Sequence, residues 1–155
     1  MKNWYSQLLT KQLGMKKFQS YIDLLNYGNK DLSGDAGKNN GLTHAWLGSS
    51  LKISAEEQIT FLKQLVNHEW KLSSSAYSNT KDILQRGTLN DNWKLYGKTG
   101  SFTPIGWFVG WIEKDGKIYL FAYLKRDEKQ GEDPIGRAEN RVKDATVKLT
   151  EFLQK

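Results

Sequence analysis

Leu8, Leu9 and Leu13 fall at helical spacing between Trp4 and Leu13, and Gly14 stands where such a helix would stop. Met15, Phe18, Ile22 and Leu25 repeat that spacing and predict a second helix over Met15 to Asn26. Tyr27 to Ser50 breaks the pattern with Gly, Asn, Asp and Ser, and predicts a long ordered loop, a feature usually tied to function. Ser54-Ala-Glu-Glu57 is a capping box, opening a helix through Ile59, Leu62, Leu65 and Val66. Ser73 reads as the N-cap of a further helix ending near Arg86-Gly87.

The period then shortens to two. Trp93 to Lys98, Gly106 to Ile112 and Lys117 to Leu124 are β-branched and aromatic runs. The last two are joined by Lys114-Asp-Gly116, a hairpin turn. Trp107 and Trp111 share one strand face and read as core. Pro134 to Gln154 returns to helix, with Val142, Ala145, Leu149 and Phe152 as its apolar stripe. The expectation is an α+β fold, a single domain over residues 1–155, in which helices flank a three-strand antiparallel meander.

Composition adds bounds. The chain is 38% hydrophobic and 12% aromatic, enough for a core, and has no cysteine for a disulfide or thiolate metal site. His44 and His68 lack ligand spacing. A net charge of +6 permits an anionic partner, but the basic residues are scattered, with Lys16-Lys17 and Lys125-Arg126 the only adjacent pairs. That scatter reads as a solvated surface, so neither nucleic acid nor a membrane is expected as a partner. No apolar run suits a membrane span, and Met1-Lys-Asn-Trp4 carries no secretory leader pattern.

Candidate chemistry centres on Lys94-Leu-Tyr-Gly-Lys-Thr-Gly-Ser101. A cation and a hydroxyl at a strand end can bind a substrate carboxylate. The following glycine lets a ligand lie against the strand, and the next backbone N–H can meet an oxyanion. This element is one of an ordered set: Tyr27-Gly28-Asn29, Ala45-Trp46-Leu47, the Ser50 to Gln58 stretch, Lys98-Thr99-Gly100 and Gly106-Trp-Phe-Val-Gly-Trp111. The set resembles the class D serine β-lactamases, the oxacillinase family, across nearly the whole chain. The resemblance implies the C-terminal portion of a penicilloyl-serine transferase fold, whose last three strands would be those read above.

Roles follow from that resemblance. Lys98, Thr99 and Gly100 match the family's substrate-contacting strand, and Ser101 would supply an oxyanion N–H. Tyr27 and Asn29 match the element at the floor of the site. Trp46 matches the tryptophan that donates to the family's carbamylated lysine. Arg137, placed in a loop before the last helix, resembles the arginine that grips the β-lactam carboxylate, with Arg126 and Arg141 nearby.

The family's nucleophile, the serine of Ser-x-x-Lys, belongs well upstream of Tyr27, and residues 1–26 contain no such motif. Ser49-Ser-Leu-Lys52 and Ser78-Asn-Thr-Lys81 have the spacing, but 11 serines and 19 lysines give about one such match by chance. Counting back to the family's Ser-x-Val lands on Met1-Lys-Asn3. The expectation is therefore no catalytic residue in this chain, with the carbamylated lysine of the family absent too. A nucleophile-less site has no covalent step. Two readings stand: part of a β-lactam-hydrolysing enzyme, periplasmic by family, or a non-catalytic β-lactam-sensing receptor domain or remnant. Either would bind a β-lactam small molecule. The last strand would have an open edge, inviting self-association or complementation by an N-terminal segment.

Overall fold

The computed structural model describes residues 3–102, 104–126 and 134–154, with side chains of the last segment from 138 onward. The chain forms two compact units, residues 1–61 and 62–155.

In the first unit, α1 (Asn3–Leu13) and α2 (Met15–Leu24) are the two helices expected from the leucine spacing. The second ends two residues earlier than the pattern suggested, because Asn26 adopts a left-handed φ of 47°. A short helix, α3 (Gly41–His44), interrupts the long polar stretch. Ile22, Leu32 and Ala45 form the buried centre, with Phe18, Tyr27 and Leu51 against it. The capping box is realised in both directions. Glu57 N donates to Ser54 Oγ at 3.2 Å, and Ser54 N donates to the Glu57 carboxylate at 2.7 Å. It opens α4 (Ala55–Val66), along which the chain passes into the second unit.

The second unit holds α5 (Ser74–Leu84), capped by Ser73, whose Oγ accepts from Ala76 N at 3.1 Å. Four antiparallel strands follow: β1 (Gln85–Thr88), β2 (Lys94–Phe102), β3 (Ile105–Lys114) and β4 (Lys117–Arg126), adjacent in chain order. The helix α6 (Pro134–Leu153) closes the fold. Two expectations are corrected here. α5 stops at Leu84, and Arg86-Gly87 belongs to β1, because Gln85 turns extended at ψ 129° and pairs with Tyr96. Among the described residues the sheet therefore has four strands, not three. The hairpin between β3 and β4 is a two-residue turn, with Asp115 at φ 49° and Gly116 at φ 77°.

Register decides which side chains share a face. Leu95, Gly97, Thr99 and Ser101 of β2 oppose Ile112, Gly110, Phe108 and Gly106 of β3. This face packs on α6, through Leu95, Phe108, Ile112 and Ala145 with Trp93. Tyr96, Lys98 and Gly100 belong to the other face, with Trp111, Val109 and Trp107 opposite them. Trp111 is buried and Trp107 half-buried, so the first is core.

Candidate functional site

The candidate residues divide between the units. In the first, Tyr27-Gly28-Asn29 is fixed by the irregular segment after Gly48. Asn29 N donates to Lys52 O at 2.9 Å, Asn29 Nδ2 to Ser50 O at 2.9 Å, and Asn29 Oδ1 accepts from Lys52 N at 3.0 Å. Asn29 is thus a clamp between two backbone segments, its amide fully engaged. Gly28 permits it: at φ 54°, a Cβ there would lie 2.0 Å from Lys52 O. Tyr27 sits edge-on to Phe61 at 5.0 Å and its hydroxyl accepts from Gln58 Nε2 at 2.8 Å. Burial pushes the Tyr27 phenol above its ordinary range, with the Gln58 bond acting in the other direction. Trp46 stands edge-on to Phe18 at 5.7 Å.

In the second unit, Lys98, Thr99, Gly100 and Ser101 lie on the half of β2 beyond its pairing with β1, which ends at Tyr96. Lys98 and Thr99 point to opposite faces, as neighbours on a strand must. A cation and a hydroxyl adjacent in sequence are therefore not adjacent in space through their Cβ directions.

The backbone is more informative. Arg86 Nε donates to Gly97 O at 3.0 Å, so that carbonyl faces away from β3. In an antiparallel ladder alternate residues share a direction, so Thr99 and Ser101 also turn their N–H and C=O outward, while Lys98 and Gly100 bond to β3. Lys98 Nζ donates to the Thr99 carbonyl, in agreement with that direction. Among the described residues, what remains open is a pair of backbone donors, Thr99 N–H and Ser101 N–H, on an edge that no strand pairs.

Electrostatics reinforces this. Desolvation, and then the like charge of Arg86, hold the Lys98 ammonium below the ordinary lysine range. On the α6 face Ser101 Oγ is buried and makes no hydrogen bond among the described residues. Opposite Ser101 is Gly106, and beneath it runs the Arg141 side chain. A Cβ on Gly106 would meet Arg141 Nε at 2.8 Å. Arg141 is 2% exposed, and its Nη1 donates to Asp144 at 3.2 Å.

Arg137 falls in the first turn of α6, not in a loop before it, and its side chain lies outside the described ones. Arg141 is the arginine that the described geometry brings to the Ser101 end of the sheet. The spacing carried that information: Arg141 stands four and eight residues before Ala145 and Leu149, on the buried stripe.

Neither chance Ser-x-x-Lys forms a couple. Lys52 Nζ donates to Gly48 O at 3.3 Å and Ser49 bonds Asp35. Ser78 Oγ donates to Ser75 O at 3.2 Å, while Lys81 Nζ sits 2.7 Å from the Glu113 carboxylate.

Residues 2–148 match the penicillin-binding protein transpeptidase domain. Beta-lactamase OXA-9 of Klebsiella pneumoniae is 41% identical over 86% of this chain and 53% of its own length. The solved structure of the OXA-427 class D beta-lactamase superposes with a TM-score of 0.85 at 39% identity, over 97% of this chain and 67% of that one. The chain belongs to the class D β-lactamase family. Its α+β architecture and antiparallel sheet are those of the family's solved structures. The methicillin resistance mecR1 protein of Staphylococcus aureus is 33% identical over 90% of this chain and 24% of its own length. The chain spans about half the length of the β-lactamase relatives, 53% for OXA-9 and 45% for Beta-lactamase OXA-1 of Escherichia coli.

Proposed function

We propose that this chain carries the β-lactam-recognising edge of a class D serine β-lactamase. The observation that supports it is the open end of β2, where Thr99 and Ser101 turn two backbone donors outward beside Lys98. Such donors stabilise the oxygen of a carbonyl that becomes tetrahedral during acyl transfer. The β-lactam carboxylate is assigned to the Thr99 hydroxyl and an α6 arginine. Arg141 is supported by its place beneath Gly106, and Arg137 by its match to the family pattern. Tyr27, Asn29 and Trp46 match the family's site-supporting pattern, and within the first unit Asn29 fixes the loop to residues 50–52.

The covalent steps, attack on the lactam amide and hydrolysis of the acyl-enzyme, need a segment bearing Ser-x-x-Lys and its carbamylated lysine, which residues 1–26 do not contain. Catalysis is assigned to that segment acting with this chain, in the periplasm. The second reading, a β-lactam-sensing receptor domain, is supported by the likeness to the mecR1 protein. Among the described residues β4 is an edge, open to a strand from the same segment or from a second copy.

The test is a titration of the 155-residue chain with benzylpenicillin, following backbone amide shifts. Shifts clustered at Thr99 to Ser101, with a Kd of about 1 mM or weaker, support the edge. Shifts spread over the surface, or unchanged by Lys98→Ala, sink it.

A further inference from the structure

A free strand edge normally alternates donors and acceptors, and so templates any extended peptide. The β2 edge does not. Its two outward carbonyls before Ser101 are both occupied, Gly97 O by Arg86 Nε at 3.0 Å and Thr99 O by Lys98 Nζ. β1 does not reach them, because it begins at Gln85, opposite Tyr96 and directly after α5; Arg86, the residue skipped in the register between Gln85 and Gly87, reaches forward along the edge instead.

We infer that Arg86 is a specificity-determining residue of this edge. It ends the open strip at Thr99 and sets a second fixed cation beside Lys98, so that the strip takes an anionic, acceptor-bearing ligand rather than an extended peptide. This inference rests on the ligand-edge reading above. The other charges near β2 lie elsewhere. Val109, opposite Lys98 on β3, is neutral. Lys81 of α5 sits over the Tyr96 ring, and Asp82 acts on Tyr96. Arg141 and Asp144 belong to α6, on the other face. Arg86 is accordingly the neighbour whose charge reaches the Lys98 ammonium.

The experiment compares the full chain with Arg86→Gln and Arg86→Lys. Without ligand, the Lys98 side-chain carbon resonance is followed against pH. Arg86→Gln is expected to raise the Lys98 midpoint, and Arg86→Lys to restore it, because removing a like charge favours the protonated form. With benzylpenicillin, amide shifts in the parent chain are expected to stop at Thr99. In Arg86→Gln they are expected to spread to Gly97, with affinity falling about 2- to 5-fold. An unchanged Lys98 midpoint in Arg86→Gln, with amide spectra otherwise intact, overturns the proposal. So does an unchanged shift boundary. If the parent chain shows no shifts at Thr99 to Ser101, the ligand-edge reading fails, while the ligand-free Lys98 midpoint still decides the role of Arg86.

Discussion

Gly106 of β3 and Arg141 of α6 occupy one space: a single added carbon on Gly106 would sit 2.8 Å from Nε and 2.9 Å from Cγ of the arginine. The helix docks at this end of the sheet because one residue has no side chain and the other fills the gap. Gly106→Ala is expected to lower stability by about 1–3 kcal/mol, the usual range for overpacking, read as a drop in the denaturation midpoint. Arg141→Ala, which makes room, is expected to reduce the cost of Gly106→Ala when combined with it. Strict additivity in that cycle would show that the two do not compete for the same volume.

A second relationship sets behaviour in acid. Glu113 accepts from Tyr96 Oη at 3.1 Å and Trp111 Nε1 at 3.2 Å, and its carboxylate meets Lys81 at 2.7 Å. Desolvation raises its proton affinity, but the bonds from Lys81, Trp111 and Tyr96 together outweigh it, so its pKa lies below the ordinary glutamate range. A depressed carboxylate contributes stability above its unfolded value, about 4.3, which is lost as pH falls through the folded value. Glu113→Gln is expected to cost about 1 kcal/mol at neutral pH, since Lys81 is half exposed and screened, and to flatten the acid limb of the stability profile. An acid limb of unchanged steepness would place the decisive carboxylate elsewhere.

The same cluster acts at the alkaline end. Burial first, and then the hydrogen bond and charge of Glu113, push the Tyr96 phenol up to about 12. Its contribution is complete below the unfolded tyrosine value of about 10 and disappears as pH rises toward the folded one. Ultraviolet tyrosinate absorbance is expected to show late titration of Tyr27 and Tyr96, of which only the Tyr96 component moves down in Glu113→Gln.

In the first unit, Asn29→Ala removes the two side-chain bonds that tie Asn29 to residues 50–52 and leaves the backbone bond from residue 29 N to Lys52 O in place. The donor Nδ2 is lost together with the acceptor Oδ1, leaving Lys52 N–H to find water. A loss of about 1–3 kcal/mol is expected, seen as earlier amide exchange at Lys52. Retained protection there would mean that the loop is held by other contacts.

The 155-residue chain alone is expected to hydrolyse a chromogenic cephalosporin no faster than buffer, because Ser49 and Ser78 each bond away from the lysine three residues on. Turnover abolished by Ser49→Ala would overturn this.

The helices and three of the strands were legible because they bury one periodic face each, and because local chemistry marks their ends at Ser54, Ser73 and Asp115-Gly116. β1 was not: Gln85-Arg-Gly-Thr88 is exposed throughout and has no apolar alternation, and only its pairing with β2 makes it a strand. Arg141 was passed over for a related reason. An arginine on an apolar stripe reads as a surface residue until Gly106 and Asp144 show what accommodates it. The identity of the K-T-G strand was readable; the direction of its carbonyls was not, because that phase is set by the pairing with β3 and shows only in the Arg86 bond to Gly97 O.

The edge strand β4 has Lys117 at one end and Lys125 and Arg126 at the other. Laid antiparallel against its own copy, each basic end would face a basic end, and like charges opposite one another oppose the pairing. Apolar Ile118 and Leu124, both well exposed, favour it. Ions in solution weaken only the repulsion, whose reach shrinks from about 10 Å at 0.1 M salt to about 3 Å at 1 M. Added salt, which loosens assemblies held by opposite charges, would here act as the trigger that lets two molecules zip together.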